Sequence, residues 1–318
     1  MNKVHLGMPR TAPSPQAMVD NHFESEFRYW DRIYGAKDVA SVIYQSRQET
    51  VLEMIDALRL PEGARVLEIG CGAGHLAVRL AQRGLLVDAI DGADSMIATA
   101  RNRALRAGVG NRLTVGTGDV NKLDADSGTY DLVVAVGVLP WLTSLGAPLR
   151  EMARVIKPGG SLLVTVDNRW ALHRFLEPRV NPLVMPLKRR ILQLLVRLSW
   201  IPAKAQARTW SVKETDLALA RAGLSKRTGI TIGFGPFTVW RWNLVSEQRG
   251  IQLNGWLQRL AGGGKGIGNA GAHYIVLASC EKLARAANGL SPGQTTRSPA
   301  KRGATAFCSQ DRRSGRGS

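Results

Sequence analysis

Cysteine is scarce: Cys71, Cys280 and Cys308 are the only three in 318 residues. Three thiols so far apart cannot build a disulfide framework, so the composition suits a reducing compartment. Long apolar runs are missing too. No stretch reaches the roughly 18 consecutive apolar residues that a membrane-spanning helix needs. The first twenty residues carry prolines and no apolar core, so no signal peptide is expected. Aromatic residues are few, at 6%, but hydrophobic residues reach 44%, which excludes a mostly disordered chain. A length of 318 residues fits one domain with additions. No internal repeat is present.

Acidic residues are nearly absent from two stretches. Residues 168–213 hold ten basic side chains against one acid, Glu177, and residues 282–318 hold eight against Asp311, giving +9 and +7. The whole chain carries +18, so the basicity belongs to an insert and a tail while the body is nearly neutral. That distribution argues against nucleic acid as the partner, and no RNA-binding module is recognisable. The tail, rich in Ser, Gly, Arg and Thr, is expected to be disordered and solvated.

Residues 20–60 read as helices, with an aromatic-rich start (Phe23, Phe27, Tyr29, Trp30, Ile33, Tyr34) and apolar residues at helical spacing from Val51 to Leu58. The period then changes. Strands are expected at Arg65–Ile69, Leu85–Ile90, Leu113–Gly116, Asp131–Val136 and Ser161–Val166. Helices are expected at His75–Gln82, Ser95–Ala107 and Leu149–Ile156, the last stopped by Lys157-Pro158-Gly159-Gly160. Strands apolar on both faces, alternating with helices, indicate a parallel sheet covered on both sides. An insert without a clear strand follows at 168–208, then a helix at Lys213–Ala222 and strands near Ser225–Ile232 and His273–Ser279. The glycines at Gly262-Gly263-Gly264-Lys265-Gly266 do not form a phosphate loop. That pattern needs glycine at Arg259 and Ser or Thr at Gly266, so the segment reads as a flexible connection.

The chemistry concentrates in Glu68-Ile69-Gly70-Cys71-Gly72-Ala73-Gly74-His75, where a strand runs into glycines and then a helix. Glycines allow a sharp turn and the close approach of a ligand. A dinucleotide fingerprint requires glycine where His75 stands. A pyrophosphate is also poorly served by Glu68, whereas a ligand bearing an ammonium and a sulfonium benefits from it. Asp91, ending the second strand, suits a carboxylate that accepts hydrogen bonds from both ribose hydroxyls. Asp119, after the third strand, suits an adenine amino group. Asp88 is assigned a structural role by strand alternation, and His75 a backbone-positioning role.

On these residues the chain resembles the class I S-adenosylmethionine (SAM)-dependent methyltransferases, in particular the bacterial small-molecule branch that includes quinone-biosynthesis enzymes. The resemblance covers about residues 45–280. Glu68-x-Gly70-x-Gly72-x-Gly74 looks like the first motif, Asp91-Gly92-Ala93-Asp94-Ser95-Met96 like the ribose turn, and Gly118-Asp119-Val120 like the adenine turn. Tyr130–Val134 and Val155–Gly160 look like the fourth- and fifth-strand motifs. The resemblance implies an α/β, Rossmann-like, seven-stranded, mostly parallel sheet with an antiparallel last strand and helices on both faces. An N-terminal helical lid (1–60) precedes the SAM-binding domain (61–281), which carries the helical insert after strand 5. SAM is the implied cofactor. Its expected contacts are Glu68, Gly70, Cys71, Gly72, Gly74, Asp91, Gly92, Met96, Asp119, Val120 and Gly137, with Tyr34 and Arg47 from the lid. No metal is expected.

The acceptor side is less determined. A base is needed if the acceptor is a hydroxyl. Asp167, His173 and His273 are the candidates, although each also reads as an ordinary strand-end or surface residue. Within the insert, Leu187, Ile191, Leu194, Leu195, Leu198 and Ile201 share a helical face, with Lys188, Arg189, Arg190 and Arg197 mostly away from it. Such a helix suits a lid, an apolar acceptor or an anionic membrane surface, and equally a plain cap. The expected acceptor is a small or lipid-linked molecule. The expected location is the cytoplasm, with peripheral contact at the inner membrane face. An RNA methyltransferase is disfavoured because Gly137-Val138-Leu139-Pro140-Trp141 stands where base amino-methylating enzymes carry [DNS]-P-P-[YF]. A non-catalytic SAM-binding protein is the other alternative.

Overall fold

A computed structural model of the chain describes residues 15–198, 200, 205–262 and 266–280. The basic tail, residues 263–265 and Ile201 of the insert lie outside the described residues. Two helices come first, α1 (Pro15–Arg32) and α2 (Val39–Asp56). Asp38 caps α2, its Oδ1 accepting from Ser41 N at 3.0 Å, which satisfies one of the donors left open at a helix start. Alternation then begins with β1 (Arg65–Ile69), α3 (His75–Gln82), β2 (Leu86–Asp91), α4 (Asp94–Arg106) and β3 (Leu113–Thr117). It continues with β4 (Tyr130–Ala135), a short helical turn at Leu139–Trp141, α5 (Gly146–Val155) and β5 (Ile156–Asp167). The insert supplies α6 (Leu172–Leu176) and α7 (Met185–Arg197). After it come α8 (Val212–Arg221), β6 (Leu224–Ile232), a ribbon of β7 (Thr238–Val239) and β8 (Trp242–Asn243), α9 (Glu247–Gly262) and β9 (His273–Cys280).

Seven strands form one sheet in the order β3-β2-β1-β4-β5-β9-β6. The first five are parallel, and β9 runs antiparallel to both neighbours. The chain builds outward from β1 to β3, then returns to β4 on the other side of β1. This reversal opens a crevice at the carboxyl ends of the strands.

Alternating strand residues feed two cores. Val66, Leu132, Val134 and Leu163 face one core with Val51, Leu80 and Ile97 of the helices α2, α3 and α4. Leu67, Val133, Leu162 and Val164 face the other with Leu149 and Met152 of α5 and Leu219 of α8. Burial on both faces explains why these strands read as continuous apolar runs.

Two features depart from the sequence reading. The fifth strand begins at Ile156, directly after α5, not at Ser161. Ile156 already pairs with Tyr130, and the ladder then shifts register before Leu132 meets Ser161. Lys157 holds this irregular start, its Nζ donating to both Asp131 oxygens at 2.8 Å. The sequence reading also leaves out the ribbon and α9. α9 carries Leu253, Trp256, Leu257 and Leu260 at helical spacing, yet it buries only Gly250 and Asn254. Its polar side chains serve the chain after β6: Asn254 Oδ1 accepts from Phe234 N at 2.8 Å and Gln258 Oε1 from Gly233 N at 3.0 Å.

Leu132 is fully buried in the central strand β4. Leu132→Ala is expected to destabilise the fold by about 2–5 kcal/mol, through lost burial and the cavity left behind. Urea denaturation checks this, with a lowered midpoint and an unchanged slope.

Candidate active site

Gly70, Gly72 and Gly74 follow β1 with φ of +67°, +52° and +79°, a region that L side chains avoid. Their surroundings differ. A Cβ on Gly70 would run into Val138 Cγ2, and one on Gly74 would meet Ala100 Cβ of α4 at 2.8 Å. A Cβ on Gly72 would meet no protein atom within 4 Å. Gly72 borders a cavity of about 350 Å³ at the carboxyl ends of the parallel strands. Gly74 stands back from its lining, where its close approach to α4 makes packing a further reason for the glycine. The turn is held in place by β2. Gly70 N and Cys71 N donate to Ile90 O at 2.8 and 3.1 Å, and Gly72 N donates to Asp91 Oδ2 at 2.8 Å.

Two carboxylates stand at this turn. Glu68 is 3% exposed, and its Oε2 has no hydrogen-bond partner. Burial, with a further push from the Asp91 charge, raises its pKa to about 8. Burial also raises Asp91, against the lowering effect of the Ala93, Gly72 and Gly92 amides. Gly92, Met96, Cys71, Val120 and Gly137 also line the cavity. Asp119 does not. It is exposed, and its Oδ1 accepts from Asn121 N and Nδ2 at 2.9 and 2.8 Å, so its carboxylate closes its own turn. Gly118 and Val120 represent that turn at the cavity wall. Asp88 lies away from the cavity, accepting from Arg65 Nη2 and Tyr130 Oη at 3.0 Å each.

The roof comes from the N-terminal helices. His22 and Phe23 of α1 set their rings 4.9 and 5.0 Å from Trp141. Phe23, Trp30, Tyr44 and His273 continue the series of ring contacts. Arg47 of α2 is 5% exposed, its guanidinium 4.5 Å from the Tyr44 ring centroid and its Nη2 3.4 Å from Tyr34 Oη. Its Nε has no partner. Burial works against the charge, but the nearby Tyr34, Tyr44 and Asp167 more than offset it and hold the proton on. Asp20 also lines the cavity, from a stretch whose prolines mask the start of α1 in the sequence.

At the far end, Asp167 closes β5 and His273 opens β9 as cross-strand partners. His273 Nδ1 lies 3.2 Å from Asp167 Oδ1, and Arg174 Nη2 lies 3.9 Å from Asp167 Oδ2. Burial pushes Asp167 up, but the His273 hydrogen bond and the His273, Arg174 and Arg47 charges outweigh it, leaving a carboxylate of lowered pKa. Burial lowers His273 despite Asp167. His173 is lowered to about 3, by burial first and then by Arg174 and His273, and its Nδ1 has no partner. Asp167 lines the cavity, whereas His173 and His273 stand behind it. No cluster of three or more metal-ligating side chains occurs among the described residues.

These groups fit SAM. The unpartnered Glu68 oxygen suits an ammonium, Arg47 a carboxylate, Asp91 a ribose diol, and the open space at Gly72 admits the ligand's bulk.

Residues 66–160 match the model of a family described as methyltransferase domain. The chain is 36% identical over 155 residues to a ubiquinone biosynthesis O-methyltransferase of Xanthomonas axonopodis pv. citri, covering 48% of this chain and 62% of that protein. It is 30% identical over 166 residues to the protein of the same name from Xanthomonas campestris pv. campestris, covering 49% and 66%. The chain thus spans less than two thirds of the length of these relatives. Among solved structures it is similar to a magnesium protoporphyrin IX methyltransferase of Synechocystis PCC 6803 with bound SAH, at 20% identity and TM-score 0.57, covering 84% of this chain and 99% of that one. A [4+2]-cyclase is similar too, at 18% identity and TM-score 0.54, covering 86% and 98%. Likeness at this level concerns the fold alone.

Gly72→Val is expected to abolish SAM binding in calorimetry, since the branched side chain fills ligand space and also strains a turn held at φ +52°. Thermal denaturation of the variant reads the strain separately. Asp91→Ala is expected to weaken binding by about 1–3 kcal/mol. Glu68 carries a proton at pH 7 in the free protein, since its pKa is raised to about 8. An arriving ammonium favours the ionised form, so SAM binding at pH 7 is expected to release up to about one proton. Calorimetry in buffers of different ionisation enthalpy reads that release, which Glu68→Gln should abolish.

Proposed function

We propose that the chain, whose residues 66–160 match a methyltransferase domain, is a class I SAM-dependent methyltransferase that transfers a methyl group to a hydroxyl oxygen of a small or lipid-like acceptor. One observation carries the choice of a hydroxyl. Asp167 lines the end of the cavity that holds Glu68 and Asp91, and His273 pairs with it from behind the wall at 3.2 Å. A hydroxyl must lose its proton as the new bond forms, and a neutral histidine oriented by a carboxylate suits that task.

When bound, SAM supplies a methyl activated by positive sulfur. The protein positions it and excludes water. Glu68, Arg47 and Asp91 hold the cofactor's charged and hydroxyl groups. The rings of Phe23, Trp30 and Trp141 cover the cavity. With His273 Nδ1–H donating to Asp167, the two groups take up the acceptor's proton as a pair, Asp167 being the member that faces the cavity. Pro140, Trp141 and Leu142 at the cavity wall support a hydrophobic acceptor. A cytoplasmic location with peripheral contact at the inner membrane face is part of the same proposal. RNA is the weaker reading, because the body that forms the cavity lacks the basic excess an RNA groove requires.

Radiolabelled SAM offered with bacterial lipid extract or with RNA tests the acceptor class. Label in the lipid fraction is expected, and label in RNA alone would overturn this reading. His273→Gln is expected to lower kcat by roughly 10²–10⁴ with SAM affinity retained. Burial lowers the His273 pKa from its ordinary 6.5, so the base is already neutral at pH 7. The acid limb of kcat/KM should therefore lie below pH 6.5 and vanish in the variant. The profile is read for the acceptor at saturating SAM, where Glu68 is held ionised, and a limb near pH 8 there would exclude His273.

A further inference from the structure

Two elements at the carboxyl edge of the sheet turn large apolar side chains toward water. The first is α7, which buries none of its residues. Leu187, Ile191 and Leu194, with Leu198 just past its end, are 63%, 50%, 56% and 50% exposed, and their spacing puts them on one face. The stripe that a cap helix would turn inward therefore faces out. The second is the β7–β8 ribbon, where Trp240 is 61% and Trp242 is 80% exposed. Trp240 and Arg241 form its turn with φ of +50° and +71°. Such a turn favours Gly or Asn, and nothing in its backbone geometry calls for tryptophan. A bulky aromatic held there at a backbone penalty points to a role for the side chain itself.

The two elements leave the sheet from the same row. Asp167, His273 and Ile232 are aligned across β5, β9 and β6, so the insert and the ribbon both depart beside the cavity. Glu177, at the end of α6, ties them together: its Oε2 accepts from Arg241 N at 2.9 Å and from Thr238 Oγ1 at 3.2 Å.

Charge identifies the occupant. Residues 178–213 and 233–246 contain no acid, and their charged side chains, among them Arg179, Lys188, Arg190, Arg197 and Arg241, are all basic. A second copy presenting the same face would bring like charges together. Anionic headgroups complement the bases, acyl chains take the leucines, and tryptophan favours the boundary between the two. We propose that α7 and the β7–β8 ribbon form one docking surface for an anionic lipid bilayer. On the methyl-transfer reading above, this surface brings a membrane-dissolved acceptor to the cavity.

The test uses the full chain with vesicles of phosphatidylcholine alone or mixed with phosphatidylglycerol. Sedimentation measures partitioning, and brominated acyl chains report tryptophan insertion. No tryptophan lies in 282–318, so binding through that tail leaves the emission unquenched. Wild type is expected to be quenched by the anionic vesicles, with binding that weakens as salt rises. The double variant Trp240→Ala/Trp242→Ala, and separately Leu187→Gln/Leu194→Gln, should each lower the partition coefficient roughly tenfold or more. Trp256→Ala, an exposed change on α9, should leave it unaltered. SAM calorimetry on every variant verifies folding. Unquenched wild type, equal partitioning of the ribbon variant, or light scattering that shows a dimer dissociated by the ribbon change would each overturn the proposal. If wild type binds vesicles but transfers no methyl group, the docking surface stands and the methyl-transfer reading falls.

Discussion

The 2.8 Å hydrogen bond from Gly72 N to Asp91 Oδ2 joins the turn after β1 to the end of β2, and the cavity depends on that junction. It holds Gly72 in a left-handed conformation with its Cβ position open to the cavity. It also fixes Asp91 with one oxygen toward the turn and the other toward Ala93 N, 3.0 Å away. A buried carboxylate that accepts only such bonds keeps lone pairs available to a ligand. Glu68, with no bond to Oε2, is less satisfied still, and burial holds its proton on near neutral pH. Both groups are destabilised as charges until a partner arrives. Energy withheld in this way from the free protein is returned on binding, which is how a site selects a ligand of matching charge.

The sheet order makes the arrangement possible. Reversal between β1 and β4 leaves strand ends with no crossover helix above them. The loops after β1, β2, β3 and β4 all open there, with Asp167 at the end of β5. Polar groups at strand ends leave the apolar interiors of both cores intact. The aromatic roof of α1 and α2 then covers them. Water exclusion thus comes from a part of the chain added before the sheet.

Much of this is legible in the sequence because parallel strands buried on both faces leave a strong mark. Apolar runs such as Arg65–Ile69 and Asp131–Val136, bounded by turns and too short for helices, suit buried strands, and the glycines between β1 and α3 suit a sharp strand-to-helix turn. The pairing of Asp167 with His273 is not legible, since 106 residues separate them and only the β5–β9 register brings them together. The packing of Gly74 and the turn contacts of Asp119 are hidden in the sequence for a related reason. A glycine with left-handed φ is needed both for packing on Ala100 and for admitting a ligand, and sequence does not distinguish the two uses. An aspartate after a strand equally serves an Asx turn, as Asp119 does with Asn121. α9 does leave a mark, in the helical spacing of Leu253, Trp256, Leu257 and Leu260, but the glycines at 262–266 beside it read as a connection. Side-chain hydrogen bonds to Asn254 and Gln258 attach it.

The cofactor turn and the Asp167–His273 pair proposed to serve the acceptor occupy different stretches. The family match ends at residue 160. It contains Glu68, Gly72 and Asp91 but not Asp167, His273, the insert or the ribbon. A fold likeness that embraces both a methyltransferase and a [4+2]-cyclase therefore fixes the sheet without fixing the reaction. What distinguishes this chain is built after β5, where the charge is concentrated and where apolar side chains face water. A nearly neutral body holding the cofactor and a basic, apolar margin beside its opening place two physical demands on two sets of residues. Charge on the margin, screened and several strands removed from Glu68, can meet a surface without disturbing the buried carboxylates. On the proposed reading, the margin after β5 is free to vary while the cofactor turn stays fixed by its own hydrogen bonds.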